Sequence, residues 1–185
     1  MTILKLMGCS GAGKTTAART LLSHATSVIP ILGLKKEEGY ETVQPGINSS
    51  VFLLGNYRGA NCGGMDTVSS AAEAIAMVAE FAPQGHVVHE GLLQSTYYGK
   101  MGTDSQRYGA DYIYVLLDTP IEVCLDRVVA RREANGSTNK FNPQLTRDKH
   151  AQVRRAWETA AGHGHRTAVL YWDEPIYPQL LELLK

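Results

Sequence analysis

Gly8-Cys9-Ser10-Gly11-Ala12-Gly13-Lys14-Thr15 fits the spacing G-x-x-x-x-G-K-[ST], and its flanks give it a place in a fold. Ahead of it, Ile3-Leu4-Lys5-Leu6-Met7 reads as a strand; behind it, Thr15 to Leu22 reads as the first turns of a helix. In that context the glycines let backbone N–H groups converge on phosphate oxygens, and the helix N-terminus adds its positive dipole. Gly8, Ser10, Gly11, Ala12, Gly13, Lys14, Thr15 and Thr16 are therefore the expected phosphate cradle. Lys14 is expected to reach the outer phosphates, and the Thr15 hydroxyl to join a Mg²⁺ shell made mostly of water and phosphate oxygen. The expected ligand is a nucleoside triphosphate.

Working outward, Ser27 to Leu34 looks like a second strand, and Lys35 to Gln44 is polar and charged before the Pro45-Gly46 turn. Strands are expected at 50–54, 86–89, 112–117 and 167–172. Helices are expected from Thr67 to Phe81, from Pro120 along an Ile121, Leu125, Val128, Val129 stripe, from a Thr146 cap to about Ala161, and from Pro175 to Leu184. A short helix is expected near 103–108, and 42–54 is read as an added hairpin or irregular insert. Strands alternating with helices predict an α/β fold of three layers, a mostly parallel sheet flanked by helices. The 185 residues, 44% hydrophobic, suit one domain spanning 1–185, with a lid-like segment at about 131–146.

Eighteen basic and eighteen acidic residues cancel, whereas proteins that grip long duplex DNA usually carry a basic excess. The cations are nevertheless clustered: Arg127, Arg131, Arg132, Lys140, Arg147, Lys149, Arg154 and Arg155 share one stretch. No apolar run approaches the ~18 residues of a membrane span, and a secretory leader is not expected. Cys9, Cys62 and Cys124 lack paired spacing, so a cytoplasmic protein without disulfide framework or zinc site is expected.

A triphosphate pocket does not fix the acceptor. A GTPase would show N-K-x-D at a strand end; Asn139-Lys140-Phe141-Asn142 ends in an amide and lies in a polar loop. Arg127 and Arg131 share a helix face and lead into the glycine-containing segment after 134, as cations that neutralise a phosphoryl group in flight should. Two strands end in acids. Asp118 precedes Thr119-Pro120, where a helix cap is the simpler reading, so Glu90 is preferred for the metal beside Thr15 or for catalysis. The loop from Gly55 to Thr67 combines Asn56, Tyr57, Arg58, Gly63, Gly64 and Asp66. Tyr57 suits stacking on a base, Arg58 a phosphate, Gly64 close backbone approach, and Asp66 acceptance of a hydroxyl proton, although Asp66 or Thr67 would also cap the following helix. His86 and His89, three apart on one strand, are not expected to ligate a metal together.

The glycine loop, the segment Leu117-Asp118-Thr119-Pro120 through Arg131-Arg132, and the chain order resemble P-loop nucleoside and nucleotide kinases. Gly55-Asn56-Tyr57-Arg58, Cys62-Gly63-Gly64-Met65-Asp66-Thr67 and Glu90-Gly91 together resemble bacteriophage kinases that phosphorylate 5-hydroxymethyluracil in DNA. That resemblance implies ATP as donor, the 5-hydroxymethyl group of a base in DNA as acceptor, and a phosphomonoester on the route to hypermodified thymidine. It places the protein in the cytoplasm of an infected cell, with Tyr57, Tyr97 or Tyr98 as stacking surfaces. A base inside duplex would have to be flipped out. Free nucleosides or nucleoside monophosphates remain an alternative acceptor class, and an ATP-binding switch without transfer is a third reading.

Overall fold

The computed structural model describes residues 1–33, 37–58, 63–68, 70–91 and 106–185. Cys62, Tyr97, Tyr98 and the start of the helix expected near 103 lie outside them. Among the described residues, seven strands form one sheet: β1 (Ile3–Met7), β2 (Ser27–Leu32), β3 (Glu37–Val43), β4 (Val51–Leu54), β5 (His86–Glu90), β6 (Tyr112–Asp118) and β7 (Arg166–Tyr171). The helices among them are α1 (Lys14–His24), α2 (Ala71–Phe81), α3 (Ile121–Ala134), α4 (Pro143–Gly162) and α5 (Ile176–Leu184), with 3₁₀ segments at Met65–Thr67 and Gln106–Asp111.

Strand order is β2-β3-β4-β5-β1-β6-β7. The block β4-β5-β1-β6-β7 is parallel, and β2 and β3 extend it as an antiparallel edge hairpin. The parallel strands read as nearly unbroken apolar runs because both faces are covered. On one face Leu4, Leu6, Val88, Ile113 and Val115 meet Ala17, Ala18 and Leu21 of α1 and Leu180 and Leu184 of α5. On the other, Ile3, Met7, Val87 and Leu116 meet Met77 and Val78 of α2 and Val153, Ala156 and Ala160 of α4. Each fully buried Leu, Ile, Val or Met contributes on the order of 1.5–3 kcal/mol. The expected α/β class, with a mostly parallel sheet between helices, is what the chain adopts.

The order of connection switches sides at β1, with β4 and β5 placed on one side of it and β6 and β7 on the other. Open α/β sheets place ligands at such a switch point, beyond the carboxyl ends of the strands. Met7, Glu90, Asp118 and Tyr171 end their strands along that same edge.

Several boundaries depart from expectation. The polar stretch after 35 contains β3, whose alternation turns Tyr40 and Thr42 into the core; the Thr42 hydroxyl donates to the Val51 carbonyl at 2.8 Å. Glu38, on the same parity as Tyr40 and Thr42, and Gly39 beside it obscured that period of two. Helix α2 starts at Ala71, capped by Ser70, whose side chain accepts from the Glu73 N–H, so neither Asp66 nor Thr67 is its cap. Helix α4 begins at Pro143 under an Asn142 cap, and Thr146 is a buried residue inside it. Asp118 does not cap α3 either: it pairs with Arg154. In α3 the inward stripe uses Cys124, while Val129 is 38% exposed.

Candidate active site

A cleft of about 660 Å³ opens at the carboxyl edge of the sheet. Its floor is the glycine loop between β1 and α1. Gly11 and Gly13 have φ of 83° and 98°, a left-handed backbone that favours glycine. At Gly11 a Cβ would also collide with the Cys124 carbonyl of α3, so the loop and that helix touch backbone to backbone. The Ala12 carbonyl accepts from the buried Thr119 hydroxyl at 2.8 Å, a tie worth about 1 kcal/mol. Helix α1 has Gly13 as its N-cap, with no side-chain cap and no acid in its first turn, which leaves its amide end open toward the cleft.

Lys14 is buried, and its ammonium bends back over the loop, donating to the Gly8 and Cys9 carbonyls at 2.8 and 3.2 Å. One residue on, the Thr15 hydroxyl donates to Glu90 Oε1 at 2.9 Å. Glu90 ends β5 and is 2% exposed. Burial holds its carboxyl above the ordinary carboxylate range, with nearby Asp66 adding to the rise; Lys14 and the Thr15 hydroxyl oppose it. Gly64 (φ 53°) lies against this carboxylate so closely that a Cβ would overlap it. Its backbone pairs with Asn56, which closes the 55–64 loop and delivers Asp66 to the cleft wall.

Arg127 and Arg131 of α3 line the same cleft as the two carboxylates. The Arg127 guanidinium donates to the Gly11 carbonyl at 3.3 Å and sits 5.6 Å from the centre of the Trp172 ring. Leu117, Leu170, Trp172 and Ile176 complete this end as an apolar wall. Leu117, Leu170 and Trp172 were not singled out from the sequence as site residues. The available signal was that Leu117, Leu170 and Trp172 lie at or just past the carboxyl ends of parallel strands.

The cleft therefore gathers Ser10, Gly11, Ala12, Gly13, Lys14, Thr15, Thr16, Asp66, Glu90, Arg127 and Arg131. It does not gather Gly8, Gly64, Asn56, Tyr57 or Arg58. The Tyr57 ring is 1% exposed, and its hydroxyl donates to the Leu54 carbonyl at 2.8 Å, so no face is open to a base. Arg58 is exposed, with its guanidinium 4.9 Å from the centre of the Tyr40 ring. Asn56 Oδ1 accepts from the Arg58 N–H at 3.1 Å, and the Tyr57 carbonyl accepts from Arg19 Nε at 2.8 Å. These residues hold the loop that presents Gly64 and Asp66. His86 accepts at Nδ1 from the Thr2 N–H, and His89 meets the Tyr112 hydroxyl at 3.2 Å inside the core, both as packing partners.

A hydroxyl and a carboxylate, both oxygen donors, suit a hard cation. No group of three or more His, Cys, Asp or Glu among the described residues forms a self-sufficient metal cage. That donor set fits Mg²⁺ bound chiefly by phosphates and water.

No protein-family model matches the chain. A protein of Pseudomonas phage M6, named 5-hmdU DNA kinase, is 30% identical over 181 residues, covering 94% of this chain and 92% of its own. A protein of Pseudomonas phage PaMx11 with the same name is 33% identical over 157 residues, 82% of this chain and 80% of its own.

Proposed function

The chain belongs to the family of phage 5-hmdU DNA kinases, and we propose that it moves the γ-phosphate of ATP onto the 5-hydroxymethyl group of 5-hydroxymethyluracil in DNA. It is a phosphotransferase, and we read its fold as that of the P-loop kinases. The observation that carries the proposal is that Lys14, the Thr15–Glu90 pair, Asp66 and two arginines line one cleft.

In this mechanism the loop amides and Lys14 hold the β- and γ-phosphates, and the adenine end lies toward Trp172 and Ile176. Thr15 and Glu90 are the residues that would hold Mg²⁺, which supplies charge neutralisation across the terminal phosphates when bound. Asp66 orients the acceptor hydroxyl and takes its proton as the oxygen attacks the γ-phosphorus. The bond to the β–γ bridging oxygen breaks, and ADP leaves with that electron pair. Arg127 and Arg131 stabilise charge on the equatorial oxygens, a contribution of about 10³-fold or more when such a group is removed. The phosphomonoester is then the substrate of a later substitution at the same carbon, a step in thymidine hypermodification.

Zero net charge favours a second reading, in which the acceptor is a free nucleoside or its monophosphate. Terminally labelled ATP, incubated with hydroxymethyluracil-containing DNA, with the free nucleotide, or with neither, separates the readings. Label in DNA is expected. Label in the free nucleotide alone overturns the DNA acceptor, and label in neither overturns transfer altogether.

A further inference from the structure

The clustered cations of segment 127–155 do not act alike. Arg147 is neutralised by Glu122 through two contacts at 2.7 and 3.2 Å, and Arg154 by Asp118. Arg127 faces the donor cleft. Arg132 and Lys140, with Arg131 shared between the two sites, converge on a second cavity of about 340 Å³ between α3 and the start of α4, and no carboxylate among the described residues lines it. Three cations around one space repel each other unless an anion sits among them.

The walls also say what kind of anion. Arg132 is fixed by donating to the Asn139 carbonyl, with its guanidinium 5.7 Å from the centre of the Phe141 ring. Leu145, 63% exposed, extends the apolar side. Charge next to an aromatic and an aliphatic surface suits a phosphate ester that carries a flat base. Ser10 and Arg131 line both this cavity and the cleft, so whatever binds here adjoins the site of transfer.

We propose that this cavity, through Arg132 and Lys140, binds a phosphodiester of the DNA strand next to the nucleotide being modified. The inference rests on the DNA-acceptor reading and names the part of the protein that grips the strand. It also explains how a protein of zero net charge engages a polyanion: positive charge is concentrated beside the cleft rather than spread over the surface.

The test is binding of the full chain to a fluorescent oligodeoxynucleotide containing 5-hydroxymethyluracil, over a series of salt concentrations. The proteins compared are wild type, Lys140→Ala, Lys140→Glu and Arg132→Gln, each checked by circular dichroism. Lys140 is exposed and outside the packed core, so its variants keep the fold if Arg132→Gln does not. Lys140→Glu is expected to weaken binding about tenfold or more. Lys140→Ala is expected to lower the slope of log affinity against log salt by about 0.7–0.9, one phosphate contact. The KM values for ATP and for the free nucleotide should stay within about twofold of wild type. Unchanged DNA affinity and slope, or an equal rise in the KM for ATP, overturns the proposal, the latter because the anion would then be the donor's. If the wild type labels DNA while Lys140→Glu is undiminished, this inference alone fails. If the wild type neither binds nor labels DNA, both readings fail.

Discussion

Glu90 carries the sharpest residue-scale consequence. Its carboxyl is held high by burial, so it costs the folded protein stability once ionised. A folded pKa above the unfolded one stabilises at low pH, and that stability is lost as pH rises through the folded value. Glu90→Gln should therefore melt at a higher temperature than wild type at pH 7.5, with the gap closing toward pH 4, while losing about 10²-fold or more in transfer rate. A lower melting point at pH 7.5 would contradict the burial argument. Tyr57 behaves oppositely. Tyr57→Phe forfeits the bond to the Leu54 carbonyl, about 1 kcal/mol in denaturant unfolding, and should leave the KM for DNA unchanged. A large rise in that KM would return Tyr57 to the substrate. Asp66, read in the sequence as catalytic residue or cap, has lost the cap explanation, because Ser70 performs that task.

Among elements, the contact of the glycine loop with α3 decides whether a cradle exists. Gly11→Ala places a methyl group against the Cys124 carbonyl and asks a non-glycine residue to hold φ 83°. It should abolish ATP binding by calorimetry and lower stability by about 1–3 kcal/mol. Normal binding would mean that the loop can move away from α3. The parallel strands and their helices were legible because their apolar runs and turn residues carry the signal locally. The β3 strand was not, because only pairing with β2 and β4 reveals which of its residues face inward. The start of α4 at Pro143, ahead of a Thr146 that looks like a cap, depends on Asn142 accepting from Gln144. Of the cleft, the loop, Glu90, Asp66 and the α3 arginines were readable, since each sits at a motif or a strand end. The roles of Asn56, Tyr57 and Arg58 were not, because burial of a tyrosine is a tertiary fact.

Across the whole molecule, one buried cation couples stability to pH. Lys5 lies in the central strand, 1% exposed and 5.2 Å from the centre of the Tyr114 ring, and burial lowers its pKa to about 7. The unfolded chain binds that proton up to about pH 10.4, so Lys5 makes stability rise with pH from about 7 to about 10. Lys5→Met should be more stable by a few kcal/mol at pH 6–7, with its advantage fading by pH 10. A constant difference across that range would show that Lys5 stays charged in the fold.

The central claim concerns one bond, from phosphorus to the hydroxymethyl oxygen of a base within DNA. Hydroxymethyluracil-containing DNA treated with the protein, Mg²⁺ and ATP can be digested by nuclease to mononucleotides, with no phosphatase, and weighed by mass spectrometry. A modified pyrimidine mononucleotide heavier by one phosphoryl group is expected from wild type and not from Lys14→Ala. An unaltered mononucleotide pool despite ATP turnover, or the same product from Lys14→Ala, would contradict this transfer.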